Sequence, residues 1–461
     1  MIVRLYCWII VLSGLHFSAL AAGQPDHLPQ QPQHRNQVLV QYQPGVTARE
    51  RRTIRHKLGM QLRQQTRRSA VATGQGVLES CRLSRQQNMQ RVLLRLNRDA
   101  RVLHAEPDWV NHFVAIANDE YITAGWLWNL YGNNSSPASL YGTQASESWL
   151  QGHTGASDIV IGIIDEGVQI DHPDLAPNIW NNPYDQPDGI DNDGNGYIDD
   201  VNGWDMFHGD NTVYDGGVDG TLDRHGTHIA GIIGARGGNR IGVAGINWQV
   251  TLIPCKIGEG ESSTLSAIEC LDYFTDLKRR HGLNIVATNN AWGGGGYSAA
   301  LEAAINRAGD ADILFVTASG NSGSNNDLTP YYPANYTCLN PAALRPYDCV
   351  IAVGSMNSVG TLSSFSNYGA TTVDIAAPGT AIFSTVPPGQ YDTLNGTSMA
   401  APHVSGSIAL YAASKRDPLS GQLPSAEVIR RAILDGATVN PNLNGKVTAG
   451  RQLDVSGALN Q

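Results

Sequence analysis

The sequence predicts an α/β fold, in which a doubly wound, mostly parallel sheet is flanked by helices and preceded by a small α+β domain. Short apolar runs rich in Val, Ile and Leu, typical of buried parallel strands, alternate with longer segments of helical periodicity. Because strands and helices alternate, the sheet is expected to be parallel, with ligands bound beyond the carboxyl ends of its strands. The predicted strands are 159–165, 250–256, 283–288, 313–317 and 350–353, and the predicted helices include 264–278 and 425–434.

Three segments are predicted to precede this main domain, which spans residues 118–461. Residues 1–22 combine one early arginine, an apolar stretch and a small-residue cleavage sequence, which predicts a secretory signal peptide. A membrane anchor is the alternative, disfavoured because the apolar run is short and contains Ser and His. Residues 23–36 are rich in Pro, Gln and His and are predicted as a linker. Residues 37–117 are predicted as the α+β domain, with a basic helix over 47–65.

The signal peptide and the charge balance narrow the function classes. With no later span of membrane length, the mature protein is expected to be soluble, free of the membrane and exported to the extracellular or periplasmic space. Residues 1–117 carry 16 Lys and Arg against 6 Asp and Glu, whereas residues 118–461 carry 15 against 35. Opposite charges favour association of the two parts. Nucleic-acid binding is the alternative for the basic part, and its scattered basic residues disfavour it.

Ser398 lies in the most informative stretch of the sequence. Gly-rich residues lead into it, and an apolar helical pattern follows through residue 410. This predicts Ser398 in the first turn of a buried helix, where free N–H groups and the helix dipole stabilise an oxyanion. Taken alone, the stretch is better explained by an ordinary helix-capping serine.

Asp165 and His225 supply the two groups that would activate such a serine. A serine hydroxyl becomes a good nucleophile only when an imidazole accepts its proton and a carboxylate orients that imidazole. Asp165 ends an apolar strand, and His225 begins a small-residue helix. The chain order Asp, His, Ser is one of the known orders of a catalytic triad.

Three sequence blocks resemble the subtilisin-like serine proteases. They are D-x-G-V at Asp165 followed by H-P-D-L, H-G-T-H-x-A-G at His225, and N-G-T-S-M-A-x-P-H-V-x-G around Ser398. The resemblance covers about residues 37–455 and implies a subtilisin-like fold and an endopeptidase that cleaves protein or peptide substrates. It implies that Ser398 is the nucleophile, His225 the general base and acid, and Asp165 the orienting carboxylate. Asn321, in A-S-G-N-S-G, would stabilise the oxyanion.

Two other function classes remain open. A non-catalytic relative could bind peptides in the same cleft, although the presence of all four catalytic residues argues against it. An esterase on an α/β-hydrolase fold is disfavoured because its triad order differs and no G-x-S-x-G follows a strand. His228 and His403 are interpreted as structural histidines. Glu166 departs from the family, which usually has Ser, Thr or Asp there, and strand alternation predicts that it faces away from His225.

The resemblance also implies a substrate-binding cleft. One wall would pair with extended peptide through unpaired backbone groups. A bulky phenol at the base of the specificity pocket would shorten it, so we expect cleavage after small or medium residues rather than large aromatic ones. The implied residues are Ala291, Trp292 and Gly293 on one wall, Ala318, Ser319 and Gly320 on the other, and Tyr331 at the base.

Calcium is the expected cofactor, in a structural role. Resemblance to thermitase-like members implies a site formed by Asp119, Asp174 and Asn239. A second site is predicted in an Asp-rich insertion that resembles an EF-hand loop without its terminal Glu, for which a solvated acidic loop is the alternative. Its candidate ligands are Asp191, Asp193, Asn195 and Asp199.

The α+β domain over residues 37–117 resembles the inhibitory propeptides of the same family. The carriers of this resemblance are V-x-V-x-Y-x-P-G from Val38 and A-E-P-D ending at Asp108. It implies that the protein is made as a zymogen, with its own propeptide as an intramolecular inhibitor, and that the enzyme begins near Asn118. An unrelated α+β domain is the alternative. We expect a monomer.

Four cysteines follow the propeptide, an even number in an exported chain, which favours two disulfides. Cys338 and Cys349 bracket an apparent loop insertion and are the preferred pair, leaving Cys255 with Cys270. The sequence alone leaves the connectivity open.

Overall fold

A computed structural model of the chain describes residues 33–65, 76–84, 87–109, 117–338 and 347–461. The predicted signal peptide and most of the predicted linker lie outside these residues. The chain divides into two units, Met1–His112 and Phe113–Gln461. Among the described residues, none of the helices combines the length and the apolar character needed to cross a membrane.

The N-terminal unit is an antiparallel sheet with two described helices. Its strands are β1 (Gln33–Tyr42), β2 (Gln61–Gln65), β3 (Leu78–Arg82) and β4 (Val102–Trp109), and its helices are α1 (Ala48–Lys57) and α2 (Met89–Leu96). The strand order is β2-β3-β1-β4. Val38, Val40 and Tyr42 are buried, as the period of two of a half-buried strand requires.

The structure differs from two predictions in this unit. The basic helix predicted over 47–65 ends at Lys57, because Gly59 adopts a positive φ of 61° and the chain then enters β2. Strand β1 begins at Gln33, inside the segment predicted as a linker.

The second unit contains the large sheet that the sequence predicts. Its strands are β5 (Gly155–Asp165), β6 (Trp204–Asp205), β7 (Gln249–Lys256), β8 (Gly258–Glu259), β9 (Glu261–Ser262), β10 (Asn284–Asn290), β11 (Leu314–Ala318), β12 (Val350–Met356), β13 (Ile375–Pro378), β14 (Ile382–Val386), β15 (Gln390–Leu394), β16 (Thr438–Val439) and β17 (Arg451–Gln452). Nine of these form one sheet in the order β16-β17-β13-β12-β11-β10-β5-β7-β6, and only the β16–β17 pair in it is antiparallel. The mostly parallel α/β fold is therefore confirmed.

Helices flank this sheet. They are α3 (Glu120–Thr123), α4 (Ala145–Leu150), α5 (Arg224–Gly234), α6 (Thr264–His281), α7 (Ala299–Asp310), α8 (Thr397–Ser414), α9 (Ala426–Asp435) and α10 (Val455–Leu459). Helix α8 is buried on nearly all sides, which explains why its sequence is apolar all round. Helix α6 packs so closely on β5 that a Cβ at Gly162 would lie 2.7 Å from the Phe274 ring.

The register of the parallel strands places three segments side by side at one edge of the sheet. Ile164, the residue before Asp165, pairs with Asn290, and Thr317, the residue before Ala318, pairs with Asn290 from the other side. The carboxyl ends of β5, β10 and β11 therefore meet, as the sequence predicts.

Both predicted disulfides form in the structure. Cys255 of β7 bonds to Cys270 of α6 with a Cα–Cα distance of 5.8 Å, and Cys338 bonds to Cys349 with a Cα–Cα distance of 5.1 Å. The first bond ties the sheet to a flanking helix.

Candidate active site

Asp165 and His225 form the tightest contact of the candidate site. Asp165 ends β5 and His225 lies in the first turn of α5. The Nδ1–H group of His225 donates to Asp165 Oδ1 over 2.7 Å, and the same oxygen accepts the N–H of Glu166 over 2.9 Å. The carboxylate is therefore held in place while it fixes the ring and its tautomer, which leaves Nε2 for proton transfer.

The surroundings of His225 favour its protonated form. Burial alone disfavours the imidazolium, but the charge of Asp165, its hydrogen bond and the charge of Glu166 outweigh this effect and raise the pKa of His225 to about 9.

His228 and His403 are structural, in agreement with the sequence analysis. His228 Nε2–H donates to the carbonyl oxygens of Ile382 and Asp392, and His403 Nδ1–H donates to the carbonyl oxygen of Met399. Burial lowers the pKa of His228 to about 3 and that of His403 to about 4, so both rings are neutral.

Ser398 occupies the first turn of α8. The N-cap residue of this helix is Gly396, which has no side chain to accept the first backbone N–H groups. The Ser398 hydroxyl donates to the carbonyl oxygen of Ala291 over 3.1 Å, and the side chain lines the same cleft as Asp165 and His225. The structure thus brings the three predicted triad residues to one cleft, with the serine hydroxyl bonded to Ala291 rather than to His225.

Asn321 is held beside Ser398 by Thr397. Its Oδ1 accepts both the N–H and the hydroxyl of Thr397, each over 2.9 Å, so its Nδ2 group remains as a donor. A Cβ built on Gly396 would lie 3.6 Å from Asn321 Nδ2 and 3.4 Å from Ser398 N, so the two donors border the same small space. This arrangement suits a carbonyl oxygen that gains negative charge.

The cleft has a volume of about 370 Å³. Five of the seven predicted substrate residues line it, namely Ala291, Trp292, Gly293, Ala318 and Tyr331. Ser319 and Gly320 lie behind this surface instead. The hydroxyl of buried Ser319 donates to the carbonyl oxygen of Asn367, and the N–H of Gly320 donates to the hydroxyl of Thr397.

Tyr331 stands between the two predicted walls of the specificity pocket. A Cβ at Gly293 would lie 2.7 Å from its ring, and a Cβ at Gly320 would lie 3.1 Å from it. The ring therefore lies next to both Gly293 and Gly320 and forms part of the cleft lining.

Glu166 corrects the sequence analysis, which predicts that it faces away from His225. The structure places it on the same cleft, with Oε1 accepting the backbone N–H of His225 over 2.8 Å. The alternation of side chains along a strand does not apply to Glu166, because β5 ends at Asp165 and Glu166 is no longer part of a pleated strand.

The hairpin of β8 and β9 is a second feature that the sequence does not predict. Four of its residues line the cleft, namely Gly258, Gly260, Glu261 and Ser262. Directly before this hairpin, the fully buried Lys256 contacts the carboxylates of three residues, Asp215, Asp223 and Glu259. Gly258 and Gly260 follow a predicted strand directly, and these two glycines could have indicated a tight turn at the carboxyl edge of the sheet.

Asp119, Asp174 and Asn239 converge, as the first calcium prediction requires. Asp119 accepts the N–H groups of Gly238 and Asn239, each over 3.0 Å, and Asp174 accepts from the Asn239 side chain over 2.7 Å. Both carboxylates are fully buried, and burial raises the pKa of each, that of Asp174 to about 6. The side-chain oxygen of Asn239 already accepts the N–H of Ile241 over 2.8 Å, so the calcium assignment of this site remains a prediction.

The carboxylates of the Asp-rich loop are also engaged in hydrogen bonds. Asp191 accepts backbone N–H groups of its own turn, Asp193 accepts from His281 Nε2–H over 2.7 Å, and Asp199 accepts the N–H of Gly189 over 2.9 Å. The Asn195 side chain donates to Asp200 over 3.0 Å.

A different group of side chains comes closest to a metal cluster. The ligand atoms of Asp205, His208 and Asp215 lie within 4.8 Å of one another, a condition that no three of the predicted loop carboxylates meet among the described residues. The calcium assignment of the loop remains a prediction.

Comparisons with known proteins agree on one family. A family model described as "Subtilase family" matches residues 156–451. The chain is 30% identical over 383 residues to "Thermophilic serine proteinase" of Bacillus sp. (strain AK1), which covers 83% of this chain and 79% of that protein. It is 32% identical over 293 residues to "Thermitase" of Thermoactinomyces vulgaris, covering 63% of this chain and 84% of thermitase.

Among solved structures, the chain is similar to "Crystal structure of a cold adapted subtilisin-like serine proteinase". The identity is 26%, the TM-score is 0.49, and the match covers 65% of this chain and 90% of that chain. Because the family model matches more than half of the chain and the proteinase of Bacillus sp. (strain AK1) is 30% identical over 79% of its own length, the chain belongs to the subtilase family of subtilisin-like serine endopeptidases.

Proposed function

We propose that this protein cleaves peptide bonds with Ser398 as nucleophile, His225 as general base and acid, and Asp165 as the carboxylate that orients the imidazole. The observation that carries the proposal is the 2.7 Å hydrogen bond from His225 Nδ1–H to Asp165, at a cleft that Ser398 also lines. Reaction requires the serine hydroxyl to leave the Ala291 carbonyl and donate to His225 Nε2. Hydrogen bonds of a catalytic site are often completed only when substrate binds.

The chemical steps follow from these positions. Ser398 Oγ attacks the peptide carbonyl carbon, and its proton passes to His225 Nε2. The carbonyl oxygen becomes an oxyanion that Asn321 Nδ2–H and the Ser398 N–H stabilise. His225 then protonates the leaving amine, and water deacylates the serine through the same nitrogen. All of these groups come from one chain, which is consistent with an active monomer.

Substrate is proposed to bind as an extended strand. Ala291, Trp292 and Gly293 directly follow β10 and line the cleft, as does the β8–β9 hairpin. Backbone groups of both segments would hold the peptide main chain, while Tyr331 limits the side chain that precedes the cut.

The N-terminal part is proposed to act as an inhibitor that the enzyme removes. Its excess of basic residues and the acidic excess of residues 118–461 support association of the two. Export through the segment 1–22 and calcium binding at Asp119, Asp174 and Asn239 complete the proposal. Calcium would offset the two buried carboxylates there and so stabilise the fold, without taking part in the chemical steps.

The experiment compares the wild-type precursor with the Ser398→Ala precursor, both produced in a host of low proteolytic background. We expect wild type to yield a species that begins near Asn118 and degrades casein. The Ser398→Ala protein should stay full length apart from the signal peptide and should not degrade casein. Casein cleavage by pure Ser398→Ala protein would contradict the catalytic assignment. A shortened Ser398→Ala species would show that another protease performs the processing.

A further inference from the structure

We propose that Glu166 is a positioning residue for His225: its carboxylate caps the helix that carries the imidazole, and its negative charge sets the pH at which the imidazole loses its proton. This inference rests on the proposed function, because it assumes that His225 is the general base. Glu166 itself would not touch the reacting atoms.

The contact of Glu166 takes the place of the usual N-cap hydrogen bond, which is missing at the start of α5. The first backbone N–H groups of a helix have no partner within the helix, and the residue before it usually supplies one. Asp223 occupies that position before α5 and forms no side-chain cap. Its carboxylate instead accepts the N–H groups of Asp215 and Gly216 and contacts Lys256. Glu166, from the end of β5, accepts the His225 N–H over 2.8 Å in its place.

Two consecutive residues therefore hold the same histidine at different points. Asp165 accepts from the ring over 2.7 Å, and Glu166 accepts from the backbone over 2.8 Å. The Glu166 N–H in turn donates to Asp165 over 2.9 Å. Asp165 thus orients the ring, while Glu166 fixes the start of α5 relative to the end of β5. A carboxylate at this end of a helix also interacts favourably with the helix dipole.

The charges around His225 leave Glu166 with an uncompensated effect on the ring. Among the described residues, Glu166 forms no ion pair with Lys or Arg, whereas Asp223 shares Lys256 with two other carboxylates, and Arg224 pairs with Asp392. His228, on the next turn of α5, is neutral. The remaining charged groups near Glu166 and His225 are Asp165, Asp223, whose charge also acts on Glu166, and Glu261 on the hairpin that lines the cleft.

Ionised Glu166 therefore stabilises the imidazolium form of His225. Burial, followed by the charge of Asp165, raises the pKa of Glu166 itself, which agrees with its location between the strand end and the helix. Removal of its charge should let His225 lose its proton at lower pH.

The test is the pH profile of kcat/KM for a short peptide substrate, measured on matured enzyme whose active sites are counted with a fluorophosphonate. Glu166→Gln keeps the length and an oxygen that can accept the His225 N–H, but it removes the charge. We expect its acid limb to move to lower pH by about 0.5 to 1 unit, with kcat at the alkaline plateau within about twofold of wild type. Glu166→Ala removes the cap as well, so its plateau kcat should fall about tenfold or more, with a much smaller change in KM.

Glu427→Gln serves as the matched control, since Glu427 is exposed in the first turn of α9. Its profile should superimpose on that of wild type. The inference is overturned if the Glu166→Gln profile also superimposes on that of wild type. If Glu166→Ala does not fold, the Glu166→Gln profile alone decides the outcome. Failure of the proposed function would give a different result. The wild-type enzyme would then not be labelled at Ser398, and its pH profile would have no acid limb that depends on His225.

Discussion

At the scale of single residues, the chemistry depends on how His225 is held. Its Nδ1–H is committed to Asp165, so the opposite nitrogen is the one that can exchange a proton with Ser398. The residue types and their order were enough to predict this pairing. The contact of Glu166 could not be predicted, because it depends on where β5 ends, and strand ends are set by packing that the sequence pattern does not reveal.

The raised pKa of His225 leads to an alkaline activity profile. A general base must be neutral, so kcat/KM of the free enzyme should rise with pH until it passes about 9. The pH dependence of stability has the opposite sign. The contact with Asp165 is fully stabilising below the unfolded pKa of about 6.5 and is lost as pH rises through about 9. Initial rates between pH 5 and 11, on enzyme shown to survive each pH, would check this; a plateau already reached at pH 7 would contradict it.

Tyr331 is expected to decide which side chain fits before the cleaved bond. Tyr331→Ala removes the ring between Gly293 and Gly320 and should raise kcat/KM for Phe relative to Ala at that position about 10- to 100-fold. Tyr331→Phe keeps the ring and should retain the wild-type preference. Both variants can be profiled with one peptide library. A wild-type profile dominated by Phe and Tyr would refute the assignment of this residue.

At the scale of elements, buried strands were predictable and short irregular ones were not. The apolar runs that predict β7, β10, β11 and β12 agree with the structure to within a few residues, because strands buried on both faces must be continuously apolar. The hairpin of β8 and β9 has strands of two residues each and no apolar pattern. The helix predicted over 47–65 was too long, because its polar residues fit an exposed strand as well as they fit a helix.

The disulfide between β7 and α6 should contribute measurably to stability. It closes a loop with a sequence separation of 15 between Cys255 and Cys270. Closing a loop of this length restricts the unfolded chain by about 3 kcal/mol. The double Ala variant, made in the Ser398→Ala background to prevent autolysis, should unfold at correspondingly lower denaturant concentration. A parallel variant without Cys338 and Cys349 provides the comparison, and an unchanged midpoint for the first variant would contradict the prediction.

At the scale of the whole molecule, the fold and the family could be recognised from sequence, whereas the cation sites could only be suggested. Asp119, Asp174 and Asn239 lie far apart along the chain, and only the folded structure brings them together. The Asp-rich loop has suggestive spacing, yet its side chains bond largely to backbone N–H groups and to His281. Both calcium assignments therefore remain predictions.

Calcium should raise the thermal stability of the Ser398→Ala protein. An ion bound only to the folded state at about 100 times its dissociation constant contributes about 2.7 kcal/mol, which corresponds to a Tm shift on the order of 5 °C. Chelator should remove this shift. Asp174→Asn should abolish the response to calcium if the buried site carries it, and Asp191→Asn tests the loop separately. Identical melting curves with calcium and with chelator would exclude a stabilising ion.

The central claim is that Ser398 is a nucleophile activated by His225, and a fluorophosphonate probe tests it most directly. After reaction with matured protein, peptide mass spectrometry should locate the adduct on Ser398, and His225→Ala should slow the labelling by at least about 10³-fold. Folded, propeptide-free protein in which Ser398 remains unmodified, or is modified equally fast without His225, would contradict the account.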